Sequence, residues 1–241
     1  MAKASKSRSK AKVARPVGEP VDKVPARLPD GRALFGGSVT IEPVSVARHG
    51  GDLWQSFADS DPDGRLWTYM GYGPFADEAA FRQWLAKCEA SPDPRFYALV
   101  PRNSAKPAGM ASLMRITPEH GVIEIGNIWF SFALQRTREA TDALFVMMRH
   151  ALDELGYRRL EWKCDALNSA SRRAALRLGF TFEGVFRQHM VIKGRNRDTA
   201  WFAILDDEWP RLRAAYQAWL SDDNFDADGR QRKSLSEFMS A

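Results

Sequence analysis

The chain has 241 residues, of which 35 are Lys or Arg and 30 are Asp or Glu, giving a formal net charge of +5. This length suits one large core or two small ones, and the lack of an internal linker in the sequence favours one domain. No apolar run approaches the roughly 20 residues of a membrane span, and Cys88 and Cys164 lack the spacing of a zinc site or a disulfide framework.

The excess positive charge lies at the N-terminus. Residues 1–16 carry six Lys or Arg and no acid, and residues 17–37 are rich in Pro, Gly and charge. Such a stretch cannot bury enough apolar area to offset the entropy lost on ordering, so we expect a disordered tail over residues 1–37. Without the six basic residues, 29 basic groups face 30 acidic ones. The near-neutral body therefore gives no basis for nucleic-acid binding, which only the tail could support.

In the next part of the chain, the sequence predicts one strand and two helices around an aromatic loop. Residues 39–46 are rich in β-branched side chains and predict an edge or first strand. Residues 52–58 have the apolar spacing of a short helix. The loop 66–75 is aromatic and contains glycines. Asp77 then caps a helix that ends before Pro92.

Three strand candidates follow, separated by turn residues, and predict an antiparallel meander over residues 95–101, 108–116 and 122–132. A long amphipathic helix is predicted over residues 137–155, with Gly156 at its C′ position.

The last elements alternate between strand and helix. A strand is predicted over residues 159–165 and a helix over residues 168–178. Strands at residues 181–192 and 199–205 precede a closing helix at residues 207–220. This order of elements predicts an α+β domain with a mostly antiparallel sheet flanked by helices.

A run of motifs occupies residues 161–198. It contains the strand EWKCD, the Asn-started helix NSASRRAALRLGF, then E-G-x-x-R and K-G-x-x-x-D-x-x-x-F. These motifs resemble the acyl-CoA N-acyltransferases of the GNAT superfamily, and within it the ribosomal-protein N-acetyltransferase-like branch. The resemblance implies a GNAT-like splayed sheet in a domain at residues 38–222, followed by a polar C-terminal tail at residues 223–241.

The resemblance also implies an enzyme that moves an acetyl group from acetyl-CoA to a primary amine, by direct attack in a ternary complex. The sequence shows no membrane span and no apolar region of a secretion signal, so we expect a cytoplasmic protein. The acceptor is a small molecule or a protein N-terminus, and the sequence does not choose between them; a homodimer stays open. A rival hypothesis is a catalytically silent acyl-CoA-binding module acting through protein or RNA partners. It rests on Ala175, where many members of the family have a catalytic Tyr, and on Arg138, where Gly is usual.

Members of this family bind the pyrophosphate of acetyl-CoA on backbone N–H groups at a helix start, where the helix dipole also favours an anion. The matching residues here are Gln135, Arg136, Thr137, Arg138, Glu139, Ala140 and Thr141. A helix start that is merely solvated is the alternative. The resemblance assigns the pantetheine arm to the strand-end backbone at Phe130 and Phe132 and to Asn168 and Arg172. Asn168 also suits a plain helix N-cap.

Amine acylation needs a base, because an alkyl ammonium is mostly protonated at neutral pH. Glu124 alternates with Ile123 and Ile125 on a predicted strand and resembles the Glu from which the related branch draws a proton. The alternative is a carboxylate that faces solvent or pairs with Arg. By resemblance, Ser171 is the group that protonates the departing CoA thiolate.

The aromatic loop supplies the predicted acceptor-binding residues Trp67, Tyr69 and Tyr72. Large aromatic side chains also supply much of the buried area of any core. The alternative is therefore that these three residues are part of the core.

Overall fold

The computed structural model describes residues 15–240. Most of the basic segment predicted to be a tail, residues 1–14, lies outside the described residues. Within them, no helix is long and apolar enough to cross a membrane, and no group of three or more His, Cys, Asp and Glu side chains is placed to hold a metal ion.

The described residues form eight strands and six α-helices. The strands are β1 (Leu34–Phe35), β2 (Val39–Pro43), β3 (Arg95–Pro101), β4 (Gly109–Thr117), β5 (Val122–Phe130), β6 (Arg159–Asp165), β7 (Thr181–Ile192) and β8 (Arg195–Leu205). The helices are α1 (Val46–Gln55), α2 (Glu78–Ala90), α3 (Arg138–Arg149), α4 (Ser169–Arg177), α5 (Trp209–Leu220) and α6 (Leu235–Met239). Helix α3 continues into a π-helical turn, His150–Glu154.

The strands form a single sheet in the order β1-β2-β3-β4-β5-β6-β8-β7. Neighbouring strands are antiparallel except for β5 and β6, which run parallel. The predicted α+β class, with a mixed and mostly antiparallel sheet flanked by helices, is confirmed. The predicted meander is confirmed as well, since β3, β4 and β5 pair in succession.

Two apolar cores lie on opposite faces of the sheet. The larger packs α3, α4 and α5 against strand residues such as Ile123 and Trp162. The smaller packs α1, α2 and the aromatic loop against Phe96 and Met110. Because successive strand residues point to opposite faces, Glu124 next to Ile123 points away from the larger core.

Helix α1 begins at Val46, before the start predicted at residue 52. Gly50 and Gly51 lie in its middle, and their low helix propensity hid the first turns in the sequence. The two glycines leave room for Arg82 of α2, whose Nη1 would lie 2.8 Å from a Cβ at Gly50.

Strand β8 begins at Arg195 instead of residue 199, because the β7–β8 turn is tighter than expected. Lys193 and Gly194 both have left-handed backbone conformations, with φ of +49° and +73°. A two-residue turn of this kind matches the twist of the flanking strands. Pairing therefore continues to Ile192 and Arg195.

The ordered body extends beyond both predicted domain boundaries. Leu34 is buried and pairs with Ile41, although it lies within the segment predicted to be a tail. A two-residue strand is too short to produce a sequence period, which explains the difference. At the other end, Asn224 and Leu235 are buried within the segment predicted to be a polar tail.

Candidate active site

Strands β5 and β6 part in the middle of the sheet. Their register pairs are Val122 with Arg159, Ile123 with Leu160 and Glu124 with Glu161, and pairing ends there. Both strands continue, β5 to Phe130 and β6 to Asp165. The backbone groups that face each other across this divergence are available to pair with a ligand.

A local distortion of β5 lies beside the divergence. Asn127 has a left-handed backbone with φ of +51°, and the register with β4 shifts nearby, between Met110 and Ser112. The Ser112 hydroxyl donates to the Gly126 carbonyl at 3.1 Å and accepts from Asn127 Nδ2 at 2.9 Å. A bulge of this kind bends a strand and redirects its groups.

Glu124 lies at the last rung before the divergence, with a side chain that is 4% exposed. Its Oε2 is 2.7 Å from Arg115 Nη1 and 3.0 Å from Lys163 Nζ. Its Oε1 faces Gly126, at 3.3 Å from the position that a Cβ there would occupy. Both cations therefore bind one carboxylate oxygen. The ion pair with an arginine, stated above as the alternative to a catalytic role for Glu124, is therefore present.

Further charges continue from Glu124 along the same face. Lys163 Nζ lies 2.6 Å from Glu161 Oε2 and 3.8 Å from the centre of the Trp201 ring. Arg159 binds both Glu161, at 2.8 Å, and Glu183, at 2.5 Å. We call this set the charge ladder: Arg115, Glu124, Lys163, Glu161, Arg159 and Glu183. Its signs alternate, so each buried charge has opposite charges as neighbours.

Arg159 and Glu183, at the outer end of the charge ladder, each shift the pKa of the other. Hydrogen bonds to Glu183 raise the pKa of Arg159 above its usual value. Hydrogen bonding from Arg159 lowers the pKa of Glu183.

Two members of the charge ladder, Lys163 and Arg115, were not predicted from the sequence. The available signal was the pattern of Glu161 and Lys163, two charges two residues apart on a strand predicted to lie inside a sheet.

Ser171 lies on the opposite face of the sheet, at the start of α4. Its hydroxyl accepts a hydrogen bond from Trp162 Nε1 at 3.0 Å, and Trp162 belongs to the larger core. Asn168 Oδ1 accepts from the Ser171 N–H at 3.0 Å, so Asn168 is the N-cap of α4. The two predicted catalytic residues, Ser171 and Glu124, thus flank β6 from opposite faces.

The predicted anion-binding loop does precede a helix. Arg136 has a left-handed backbone with φ of +63°, and the Thr137 side chain caps α3 by accepting from the Ala140 N–H at 3.1 Å. Gln135 Nε2 donates to the Phe130 carbonyl at 3.0 Å, which ties the loop to the end of β5. As in any helix, the first N–H groups of α3 have no partner within the helix and can face an anion.

The side chain of Arg138 does not join this loop. It donates to the Leu220 carbonyl, lies 2.8 Å from Asp222 Oδ1 and covers the Phe225 ring at 4.5 Å. Of this predicted cofactor-binding residue, the backbone N–H stays at the loop and the side-chain charge does not. Thr141 is also turned inward, since it is buried and its hydroxyl accepts from Arg177 Nη1 at 3.2 Å.

The remaining predicted cofactor residues, Phe132, Glu139 and Arg172, lie on three different parts of the fold. Phe132 is exposed just after β5. Glu139 accepts a long hydrogen bond from Asn103 at 3.4 Å. Arg172 is exposed on α4 and donates to the Ala166 carbonyl at 3.3 Å.

Of the three predicted acceptor residues, Trp67 belongs to the smaller core and Tyr72 is partly buried against it. Trp67 is 1% exposed and packs against Phe57 and Trp129. The Tyr72 ring lies 4.4 Å from that of Trp84, and burial raises the pKa of Tyr72. The prediction that Trp67 lines an acceptor pocket is therefore wrong, and the core alternative holds for it. The role of Tyr72 in an acceptor pocket stays a prediction.

Tyr69 is the most exposed of the three predicted acceptor residues, at 36%. Its hydroxyl donates to the Leu167 carbonyl, just before α4, at 3.3 Å. Lys193, in the β7–β8 turn, donates to the Trp67 carbonyl at 2.8 Å. The aromatic loop thus bridges the start of α4 and the β7–β8 hairpin, and Tyr69 is the member placed at that junction.

Both cysteines are buried, and burial raises the pKa of each thiol, to about 12 for Cys88. A thiol is a weak nucleophile until it loses its proton. Neither Cys88 nor Cys164 is therefore suited to form a covalent intermediate.

A family model described as an acetyltransferase (GNAT) domain matches residues 39–181. Among solved structures, the chain is similar to a GCN5-related N-acetyltransferase from Brucella melitensis. The two are 47% identical, with a TM-score of 0.88 over 90% of this chain and 98% of that one. A "probable acetyltransferase (GNAT family)" from Chromobacterium violaceum is 42% identical, with a TM-score of 0.72 over 84% of this chain and 99% of that one.

More distant structures share the fold. An acetyl transferase from Salmonella typhimurium that modifies the N-terminal serine of a 50S ribosomal subunit protein is 21% identical. Its TM-score is 0.59 over 70% of this chain and 95% of that one. No curated protein sequence matches the chain.

Proposed function

The chain belongs to the GNAT acetyltransferase family, and from this premise we propose that it transfers an acetyl group from acetyl-CoA to a primary amine. The observation that carries the proposal is the divergence of β5 and β6, with Glu124 on one face of the sheet and Ser171 on the other. The proposal thus puts a proton acceptor and a proton donor on opposite faces of the strand that borders the divergence, for direct attack in a ternary complex.

Acetyl-CoA fits the residues at two places. The facing edges of β5 and β6 offer backbone N–H and C=O groups that suit the amides of a pantetheine arm. The start of α3 offers N–H groups that suit a pyrophosphate. The residues that would hold it are Phe130, Phe132, Gln135, Arg136, Thr137, Asn168 and Arg172, together with the backbone N–H groups of Arg138 and Glu139.

Glu124 is the proposed base. Acetyl-CoA supplies an activated acyl carbon, and the amine becomes a nucleophile only after it loses a proton. Arg115 and Lys163 bind Oε2 of Glu124, which leaves Oε1 to take that proton, directly or through one water.

Ser171 is the proposed proton donor to the leaving thiolate. Its oxygen accepts from Trp162, and its own hydrogen, which lies within reach of the Cys164 sulfur, would turn to the leaving thiolate. Ala175 is buried in α4 and has no group to donate, so a phenol cannot act from that position.

The acceptor class remains that of the ribosomal-protein N-acetyltransferase-like branch, in which a protein N-terminus or a small amine is the substrate. The motifs from residues 161 to 198 support this branch. Similarity to the Salmonella enzyme supports the fold alone, because the two chains are 21% identical.

Calorimetry with acetyl-CoA, free CoA and an analogue without phosphates tests the cofactor first. We expect binding that depends on the phosphates. The second step measures CoA release with glycinamide, an N-terminal serine peptide and an aminoacyl nucleotide as acceptors. Binding without turnover of any of these amines would favour the catalytically silent acyl-CoA-binding module, and no binding would contradict both functions.

A further inference from the structure

The charge ladder contains one buried cation that lies between two buried carboxylates. Lys163 has a side chain that is 4% exposed, and its Nζ contacts both Glu124 and Glu161. These two acids are register partners on adjacent strands, and like charges in such positions repel each other. In the described part of the chain, Lys163 is the one cation that contacts both carboxylates, and it offsets their repulsion.

The position of Lys163 is itself strongly constrained. Its backbone pairs with Trp201 of β8, and its ammonium lies over the Trp201 ring at 3.8 Å. The ring face attracts a cation and limits where the ammonium can go. Lys163 is thus a fixed point, whereas Arg115, the other partner of Glu124, has a side chain that is 43% exposed.

The contact fixes the orientation of the Glu124 carboxylate. Lys163 and Arg115 both bind Oε2, and Oε1 points to Gly126, at the bulged part of β5. The two oxygens of a carboxylate are equivalent, so what the cations fix is the plane of the group, and without them that plane could turn until neither oxygen is directed to Gly126. Among the described residues, only Lys163 and Arg115 form ion pairs with Glu124.

We propose that Lys163 is a positioning residue for the acetyl-transfer reaction: it holds Glu124 through Oε2, beside Glu161, so that Oε1 faces the opening between β5 and β6. This inference rests on the proposed function, in which Glu124 takes the proton of the acceptor amine. Lys163 itself exchanges no proton in the reaction.

The first test is a crystal structure of the full-length Lys163→Met protein. We expect the plane of the Glu124 carboxylate to turn, with neither of its oxygens directed to Gly126. If Glu124 keeps its wild-type orientation, the proposal is overturned whatever the activity. Since Lys163→Met leaves two buried acids adjacent, the double variant Lys163→Met/Glu161→Gln serves if the single variant does not fold.

The second test is kinetic, with glycinamide and the N-terminal serine peptide as acceptors. Lys163→Met should lower kcat by about tenfold, a part of the roughly 10²- to 10⁴-fold that acid–base catalysis supplies, and leave acetyl-CoA affinity nearly unchanged. Lys163→Arg should restore part of the loss. Lys87→Met, the same change at an exposed lysine of α2, is the matched control and should have no effect.

A double-mutant comparison separates positioning from a general loss of structure. If Lys163 acts through Glu124, Lys163→Met should cause little further loss of kcat in a Glu124→Gln protein. Full additivity would overturn the proposal. A wild-type protein that binds acetyl-CoA but acetylates neither acceptor counts against the proposed function, and the orientation of Glu124 in the Lys163→Met crystal still decides the positioning role.

Discussion

Glu124 and Glu161 form the last register pair between β5 and β6, and both side chains are buried. Two carboxylates at one rung would repel each other in a dry environment. Lys163 Nζ lies 3.0 Å from one and 2.6 Å from the other and offsets this repulsion. The parallel pairing of the sheet thus ends at a rung held by charge, and the divergence begins immediately beyond it.

Replacing Glu124 by Gln should abolish most turnover and leave cofactor binding intact. The amide keeps the size of the side chain but cannot take a proton from the amine. We expect kcat to fall roughly 10²- to 10⁴-fold, the usual contribution of a general base. Steady-state kinetics and calorimetry with acetyl-CoA measure the two quantities. Retained kcat would show that another group, or solvent, is the base.

Replacing Ser171 by Ala tests the proton donor. The change removes a hydroxyl that also accepts from Trp162 Nε1, so a stability loss of about 1–3 kcal/mol should accompany it. Turnover should fall more with a poor thiolate leaving group than with an activated thioester, because only the former needs protonation. Equal losses of turnover with the two thioesters would show that the Ser171 hydroxyl has only a structural role. Thermal unfolding gives the stability term separately.

The aromatic loop gives a pair of contrasting variants. Trp67→Ala should destabilise the protein by about 3–5 kcal/mol, because it empties a buried site in the smaller core. Tyr69→Phe removes only a hydroxyl from a partly exposed ring, and stability should change by about 0.5 kcal/mol or less. Chemical denaturation measures both. A neutral Trp67→Ala change would contradict the core assignment.

The ion pair at the outer end of the charge ladder predicts a pH dependence of stability. Because Arg159 lowers the pKa of Glu183 in the folded protein, the pair stabilises the fold above the ordinary Glu value of 4.5. That stabilisation is lost as pH falls below this value and through the lowered pKa. Wild type should therefore exceed Glu183→Gln in melting temperature at neutral pH, and the gap should close in acid. A gap that stays constant with pH would contradict this.

Arg136 and Arg138 form a second pair of contrasting variants. Arg136→Gln, at an exposed position in the loop before α3, should weaken acetyl-CoA binding by about tenfold, the value of one charge-assisted hydrogen bond. Arg138→Gln should instead leave affinity nearly unchanged and speed hydrogen exchange around Leu220 and Phe225. A large loss of affinity in Arg138→Gln would mean that its guanidinium leaves Asp222 for the cofactor.

Much of the fold follows from local sequence patterns. The bounds of β6 and β7 agree with prediction because both strands are long and are bounded by clear turn or helix signals. Asp77 and Asn168 were recognised as N-caps from residue type and spacing alone. Helix α1 was predicted too short because its two glycines are tolerated through packing against α2, which the sequence does not display.

The candidate site was less accessible to prediction. Glu124 could be singled out from one strand, yet its partners Arg115 and Lys163 come from two other strands, and no local spacing links them. Trp67 illustrates the opposite difficulty, since an aromatic residue in a glycine-containing loop suits both a pocket and a core. Only the packing of the loop on α1 and α2 decides between them.

Only three register pairs connect β5 and β6, so few hydrogen bonds join the two parts of the sheet at this seam. Strands β1 to β5 form one ribbon and β6 to β8 another, and the shared hydrogen bonds run only from Val122 to Glu124. A ligand whose amides pair with both ribbons would act as a short strand across the seam. Binding should then couple the twist of the two ribbons and slow hydrogen exchange along residues 125–130. The bound substrate would thus supply the hydrogen bonds that join the two halves of the sheet beyond Glu124.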